Sequence, residues 1–400
     1  MGTFLLGTTP IRGPLFIRAL AVSTLLSLAV FVPIQVRGQL STDDHLAEPG
    51  WWPTHESHSL EDFAGAPTCG ACHKSIAAEQ ETTPMARTLV RAEDAGVLHT
   101  HRQMNFHSGK YDYRISLNAG RPQLSVTDGS NTATSLLLWA FGTGEVGQSY
   151  IVERNGRYFE SRVSYFSALE NLNFTPGRAR LHPYDLEEAM ERPVDKGEIR
   201  RCFGCHSTAS VVAGKFEPDK LSAGIACEAC HGPGAEHTSA MQATVLQQGG
   251  GDGNAENFIF NPGRLSPSDS VDFCGACHGT WVDIVLAGTR GLPSVRAQPY
   301  RLHNSKCWGG GGDPRITCVA CHDPHVPLVQ ELSAYDEKCL KCHLATRSAK
   351  PVSDHPGAAC PVDTKNCASC HMPRIEVPVM HRAFVDHQIR IVRPGAPLPD

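Results

Sequence analysis

The sequence predicts mainly short α-helices and loops with one small antiparallel β insert near residues 106–166, and three observations carry that expectation. Fourteen of the 16 cysteines fall in seven copies of Cys-x-x-Cys-His, each short enough for a single helical turn. The C-terminal half, where six copies crowd into residues 202–371, has few long apolar stretches of helical period. Between the first and second copies the pattern changes to that of strands. Tyr111-Asp-Tyr-Arg-Ile-Ser-Leu117 alternates and Leu136 to Phe141 is a short apolar run, while Tyr150 to Arg154 is joined to Arg157 to Val163 by Asn155-Gly156, the strongest two-residue hairpin signal.

The copies are Cys69, Cys72, His73; Cys202, Cys205, His206; Cys227, Cys230, His231; Cys274, Cys277, His278; Cys318, Cys321, His322; Cys339, Cys342, His343; and Cys367, Cys370, His371. Chance supplies roughly 0.03 copies per chain at this composition, so the repetition needs a chemical cause. Two thiols three positions apart on one turn can each form a thioether to one vinyl group of a haem, and the adjacent imidazole then lies under the iron as proximal ligand. One copy implies one covalently attached haem c, and seven copies imply seven. Zinc is the competing use of a lone Cys-x-x-Cys, but it needs four ligands drawn from paired motifs, and every pair here is followed by His. The expected class is thus a multihaem cytochrome c, its short helices and loops wrapped around stacked haems whose faces supply much of the buried apolar surface.

Composition and the N-terminus bound the setting. The formal net charge of -5 offers no basic face for nucleic acid. Arg12 and Arg18 lead into an apolar run from Ala19 to Val32, Pro33 ends it, and Val36-Arg37-Gly38 offers small residues where a signal peptidase reads. The reading is a secretory signal, because an uncleaved anchor wants about 20 apolar residues. No later segment is apolar enough to span a membrane. Cleavage after residue 38 leaves 33 basic and 41 acidic residues, a formal charge of -8, on a protein exported to the periplasm or the extracellular face of a bacterium. Glycine-rich stretches at Gly249 to Gly251 and Gly309 to Gly312 read as loops between haem modules. The expected domains are a signal peptide (1–38), a leader and first haem module (39–105), a β-rich insert (106–175) and a six-haem cytochrome domain (176–400).

Each iron wants a sixth ligand, and 13 further histidines and a few methionines compete for that role. His325, in Cys321-His-Asp-Pro-His325, lies too close to its own motif to reach round that haem, so it is expected to serve a neighbour. Gly224-Ile-Ala-Cys-Glu-Ala-Cys-His-Gly-Pro-Gly-Ala-Glu-His237, Cys318-Val-Ala-Cys-His-Asp-Pro-His325, and Cys367-Ala-Ser-Cys-His-Met-Pro373 followed by Phe384-Val-Asp-His387 resemble the cytochrome c-552/4 class, relatives of hydroxylamine oxidoreductase and pentahaem nitrite reductase. The resemblance covers essentially all of the chain after residue 60. It implies that His237, His325 and His387 are distal ligands, with His107 at another family position. Met85 is a candidate thioether ligand to the first haem or a core residue, and His355 and His381 flank the last motif closely enough to ligate. His182 and His303 rank below these, and His99 and His101 lower again. His45, His55 and His58 sit in a polar leader where solvation is the default. The two spare cysteines, Cys307 and Cys360, are expected to form a disulfide in an oxidising compartment, with two buried thiols as the alternative.

The resemblance has limits. The nitrite reductases of that group attach their active-site haem through a motif ending in Lys, and no such motif occurs here. Seven copies also match neither the five of that enzyme nor the eight of hydroxylamine oxidoreductase. The preferred reading is therefore an electron relay of mostly His/His-ligated haems between an inner-membrane donor and an extracytoplasmic acceptor, with self-association left open. The alternative is a multihaem oxidoreductase of small nitrogen or sulfur oxyanions, working at one open haem. A redox or gas sensor is the remote third.

Overall fold

The computed structural model describes residues 58–179, 182–212, 215–246, 258–305, 307–308, 315–343, 360, 362–393, 395 and 398–399. The expected signal segment, His45, His55, His355 and both glycine-rich stretches lie outside the described residues. No helix among the described residues is long and apolar enough to cross a membrane.

Among the described residues, two antiparallel sheets carry most of the strands, beside three two-stranded pairs farther along the chain. The first is a four-stranded meander of β2 (Gln103–Ser108), β3 (Tyr111–Asn118), β4 (Arg121–Thr127) and β5 (Thr132–Leu136). The second has seven strands. Its main path runs β1 (Leu89–Arg91), β6 (Trp139–Phe141), β7 (Gly147–Arg154), β8 (Arg157–Ser161) and β11 (Glu191–Val194), while β9 (Val163–Phe166) pairs with β7 and β10 (Asn171–Phe174) pairs with β9. Alternation decides which face is buried. Along β3, Tyr111, Tyr113 and Ile115 are buried whereas Asp112 and Arg114 are exposed, as a half-buried strand requires. Those side chains join Leu124 and Val126 of β4 and Tyr150, Val152 and Phe159 of the second sheet in one apolar core. Complete burial of one such aliphatic side chain contributes about 2 kcal/mol.

Asn155 and Gly156 make the expected hairpin. Arg154 pairs with Arg157 across them, and both turn residues have positive φ (54° and 73°), which this turn demands. Gly156→Val is expected to cost about 1–2 kcal/mol, read as a lower denaturant midpoint at unchanged haem content. The sheets extend further than the expected 106–166 insert, beginning at Leu89 and ending at Val194. The reason is tertiary. β1 and β11 are three- and four-residue edge strands with no alternating pattern of their own, and pairing with β6 and β8 decides them.

The attachment motifs sit on short helices: α1 (Ala66–Cys72), α2 (Lys196–His206), α3 (Cys227–His231), α4 (Pro267–His278), α5 (Cys318–Cys321), α6 (Asp336–Leu340) and α7 (Cys367–His371). Only one residue separates β11 from α2. Asp195 occupies that place and caps the helix by accepting from Glu198 N (2.8 Å). Ile199 and Phe203 of α2 then bury against Leu89, Trp139 and Ile151, so the second sheet holds the second motif directly. Phe203 meets Trp139 and Phe141 edge-on at ring-centroid distances of 5.4 and 5.2 Å.

Candidate haem-binding sites

Sequence distance misleads about which motifs are neighbours. The first motif, isolated along the chain, packs on the third, and the side chains of Cys69 and Cys227 meet there. Glu228, a variable position inside the third motif, fixes that contact. Its buried carboxylate accepts from Ala64 N (2.7 Å) and Gly65 N (2.9 Å) at the start of α1 and from Gly234 N (2.8 Å) beyond α3. The turn between the next helix, Lys74–Gln80, and β1 is tied to the same place, because Ile225 N donates to Met85 O (3.0 Å). At Gly224, with φ of 76°, a Cβ would run into the Ala86 carbonyl, so glycine permits this approach.

Other motifs meet in the same way. Cys205 of the second is in side-chain contact with Cys277 of the fourth, Cys274 of the fourth with Cys318 of the fifth, and Cys339 of the sixth with Cys367 of the seventh. Cys230 lies within electrostatic range of Cys274 and Cys277, and Cys321 within that of Cys339. A cleft between α2 and α4 is lined by Cys202, Cys205 and His206 on one side and Cys277 and Asp283 on the other. Asp336 at the start of α6 accepts from Asn366 N (2.6 Å) and Cys367 N (2.8 Å), docking α7. No three His, Cys, Asp or Glu side chains among the described residues gather in a geometry for a bare metal ion.

The histidines carry a second signal. Ligation through Nε2 calls for a neutral ring whose Nδ1–H is held by an outer partner. Among the proximal candidates, His231 Nδ1 donates to Phe260 O (2.9 Å), His371 Nδ1 to Arg390 O (2.9 Å), and His206 Nδ1 lies 2.7 Å from Thr88 Oγ1 and 3.3 Å from Thr88 O. Among the distal candidates, His325 Nδ1 donates to Asp323 Oδ1 (2.9 Å) and His387 Nδ1 to Val385 O (3.0 Å). By contrast His99 and His101 engage Nε2, with Glu93 O (2.7 Å) and Tyr165 Oη (3.2 Å). Desolvation lowers the pKa of His206, His231 and His322, and brings His387 down to about 4, so these rings are neutral near pH 7.

Two pairs of these rings lie close together. The rings of His231 and His325 have centroids 6.1 Å apart with planes 12° from parallel, and those of His322 and His387 are 6.2 Å apart at 40°. Two imidazoles bound on opposite sides of one metal at about 2 Å per bond would place their centroids about 6 Å apart. Cysteine pairs spaced for thioethers, neutral histidines with Nδ1 engaged, and histidine rings paired at this spacing fit haem c.

The remaining candidates are placed as follows. His237 lies half-buried in the helix Ala235–Leu246, and Met85 is half-buried in the turn before β1. His107 is on β2, exposed, with Nδ1 2.7 Å from Asp112 Oδ1 across the hairpin. His381 has positive φ (51°) and packs edge-on against Phe166 at 4.8 Å. His303 lies between Trp281 (5.6 Å) and Trp308 (6.3 Å), His182 is exposed, and His58 is 3.6 Å from Asp62. Cys307 is half-buried and Cys360 exposed, and the expected disulfide does not join the two in the structure. The chain just beyond Cys360 is anchored elsewhere, through Asn366 and Cys367 to Asp336. Three groups escaped the sequence reading: Glu228, Arg301 and Asp323. Only Asp323, two residues before a candidate ligand, carried a local signal.

Comparisons with known proteins agree on the class. A family model described as cytochrome c554 and c-prime matches residues 170–232, which contain the second and third motifs. The multiheme cytochrome MtrA of Shewanella baltica (strain OS185) is 24% identical over 213 residues, which cover 49% of this chain and 53% of that protein. The chain therefore matches about half the length of that curated relative. No solved structure matches. With the repeated Cys-x-x-Cys-His motifs, these findings support a multihaem cytochrome c with covalently bound haem c.

Proposed function

We propose that the chain is an exported seven-haem c-type cytochrome that transfers electrons through closely spaced, mostly His/His-ligated haems, around which its short helices and loops wrap. Bound haem supplies one-electron redox chemistry. The chain's own part is to attach each group through two cysteines, hold its axial imidazoles in the neutral Nε2-free form, and keep successive motifs in contact. The observation that carries this reading is the two imidazole pairs at a spacing that one shared iron would give, His231 with His325 and His322 with His387. The cysteine contacts favour the first motif beside the third, the fourth beside the fifth and the sixth beside the seventh, and the proximity of Cys230 to Cys274 and of Cys321 to Cys339 favours joining these into one order of sites. The second motif branches from the fourth. We assign residues 1–38 to an export signal and the chain on either side of the sheets to haem attachment, with the β-rich insert taking the bounds Leu89–Val194, and with periplasmic residence and protein redox partners as donor and acceptor.

Intact mass of the mature protein under denaturing conditions is expected to exceed the polypeptide by seven haem equivalents, since thioethers survive unfolding. The reduced protein is expected to show no spectral shift with carbon monoxide and no turnover of nitrite, hydroxylamine or tetrathionate. A stoichiometric carbon monoxide complex with turnover of any of these would overturn the relay in favour of an oxidoreductase with one open haem.

A further inference from the structure

The strap 386–390 crosses two candidate haem sites at once. His387, paired with His322, lies at its second residue, and the carbonyl of Arg390 at its end accepts from Nδ1 of His371, the proximal candidate of the seventh motif. What fixes the strap is a fully buried ion pair. Asp386 accepts Arg301 Nε on Oδ1 (2.8 Å) and Arg301 Nη2 on Oδ2 (2.9 Å), a bidentate fork, and both side chains are 0% exposed. Arg390 Nη1 adds a third donor to Oδ2 (2.5 Å), and Arg301 Nη1 reaches Pro399 O (2.7 Å).

The helix Gln298–His303 that carries Arg301 also grips the strap through the residues just beyond it. Ser305 Oγ donates to His387 O (3.0 Å) and accepts from Ile389 N (2.8 Å), and Gln388 Nε2 donates to Asn304 O (3.3 Å). A buried pair of this kind is a weak source of stability, because desolvation offsets the attraction; its better-attested use is to specify one arrangement over others. Here the specified arrangement is the position of two imidazoles. We propose that Arg301 is the positioning residue of this site: by clamping Asp386 it holds His387 against the iron of the fifth motif and presents the Arg390 carbonyl to His371. The proposal rests on the reading of His387 as a distal ligand.

The test uses the purified holoprotein with its full haem complement, read by absorption and electron paramagnetic resonance. His387→Ala is expected to convert one low-spin haem to high spin, to bind one carbon monoxide when reduced, and to regain the low-spin signal with added imidazole. Arg301→Leu with Asp386→Leu removes both charges of the fork together, leaving only Arg390, 17% exposed, to turn to solvent. It is expected to retain all haems and cooperative unfolding while losing most of the low-spin signal of that same haem, with imidazole restoring it. Arg301→Lys keeps the charge but not the fork, and is expected to give partial conversion; it becomes the deciding variant if the double variant does not accumulate. A folded Leu/Leu or Lys variant with the native low-spin spectrum and no carbon monoxide binding would overturn the role of Arg301 while leaving His387 as ligand. An unchanged spectrum in His387→Ala would instead overturn the ligand assignment, and the positioning role with it.

Discussion

Glu228→Ala is expected to release the first attachment helix from the third and to cost roughly 3–5 kcal/mol, the scale for removing one partner of a buried charged contact. Glu228 is 4% exposed, and its two oxygens hold the amides of Ala64, Gly65 and Gly234. Without the carboxylate three donors lose their partner, and each buried N–H left unsatisfied costs about 1–3 kcal/mol. The effect is local in origin and long-range in result, since Ala64 and Glu228 lie 164 residues apart. Glu228→Gln retains one acceptor oxygen but turns an NH2 group toward N–H donors, so an intermediate loss is expected. Denaturant unfolding at matched haem content gives the magnitude, and hydrogen exchange at Ala64, Gly65 and Gly234 gives the location. A loss below about 1 kcal/mol with unchanged protection at those amides would show that the clamp is not what holds the two motifs together.

This contact also marks the boundary of what the sequence made legible. Covalent attachment depends on residues within one turn, so the seven motifs are readable directly. The Asn155-Gly156 hairpin is readable because its positive φ values restrict the residue types that fit. Partnership between motifs is another matter. Nothing near Cys69 marks Cys227 as its neighbour, and Glu228 occupies a position where the motif tolerates any residue. Arg301 is equally silent along the chain, because its meaning comes from Asp386, 85 residues later. The edge strands β1 and β11 were missed for the same reason: pairing defines them, and they have no pattern of their own. Two oxidisable thiols in one chain suggested a disulfide, but composition says nothing of where Cys307 and Cys360 end up.

His325→Ala is expected to open one haem while all seven remain attached. The ring of His325 lies 6.1 Å from that of His231 of the third motif, although it follows the proximal candidate of the fifth motif by only three residues. On the proposed reading this short segment joins two sites, and the motif it serves is the link between the first motif and the rest of the chain. Asp323 supports it by accepting both the His325 backbone N–H and the ring Nδ1–H at 2.9 Å, which fixes the ring orientation and leaves Nε2 free. Loss of the imidazole removes one axial ligand and nothing of the apolar core, so the variant is expected to fold and to keep its intact mass apart from the substitution. Carbon monoxide binding to the reduced protein should rise from none to one per chain, and added imidazole should suppress it. Asp323→Ala is expected to keep the ligand but loosen it, giving a mixture of low- and high-spin signal at the same haem, because outer partners of metal-bound histidines are worth about 10–100-fold in affinity. Should His325→Ala leave the low-spin spectrum intact, the paired rings of His231 and His325 do not share an iron, and the ligand of the third motif must be sought elsewhere, with His237, six residues beyond His231, the next to replace.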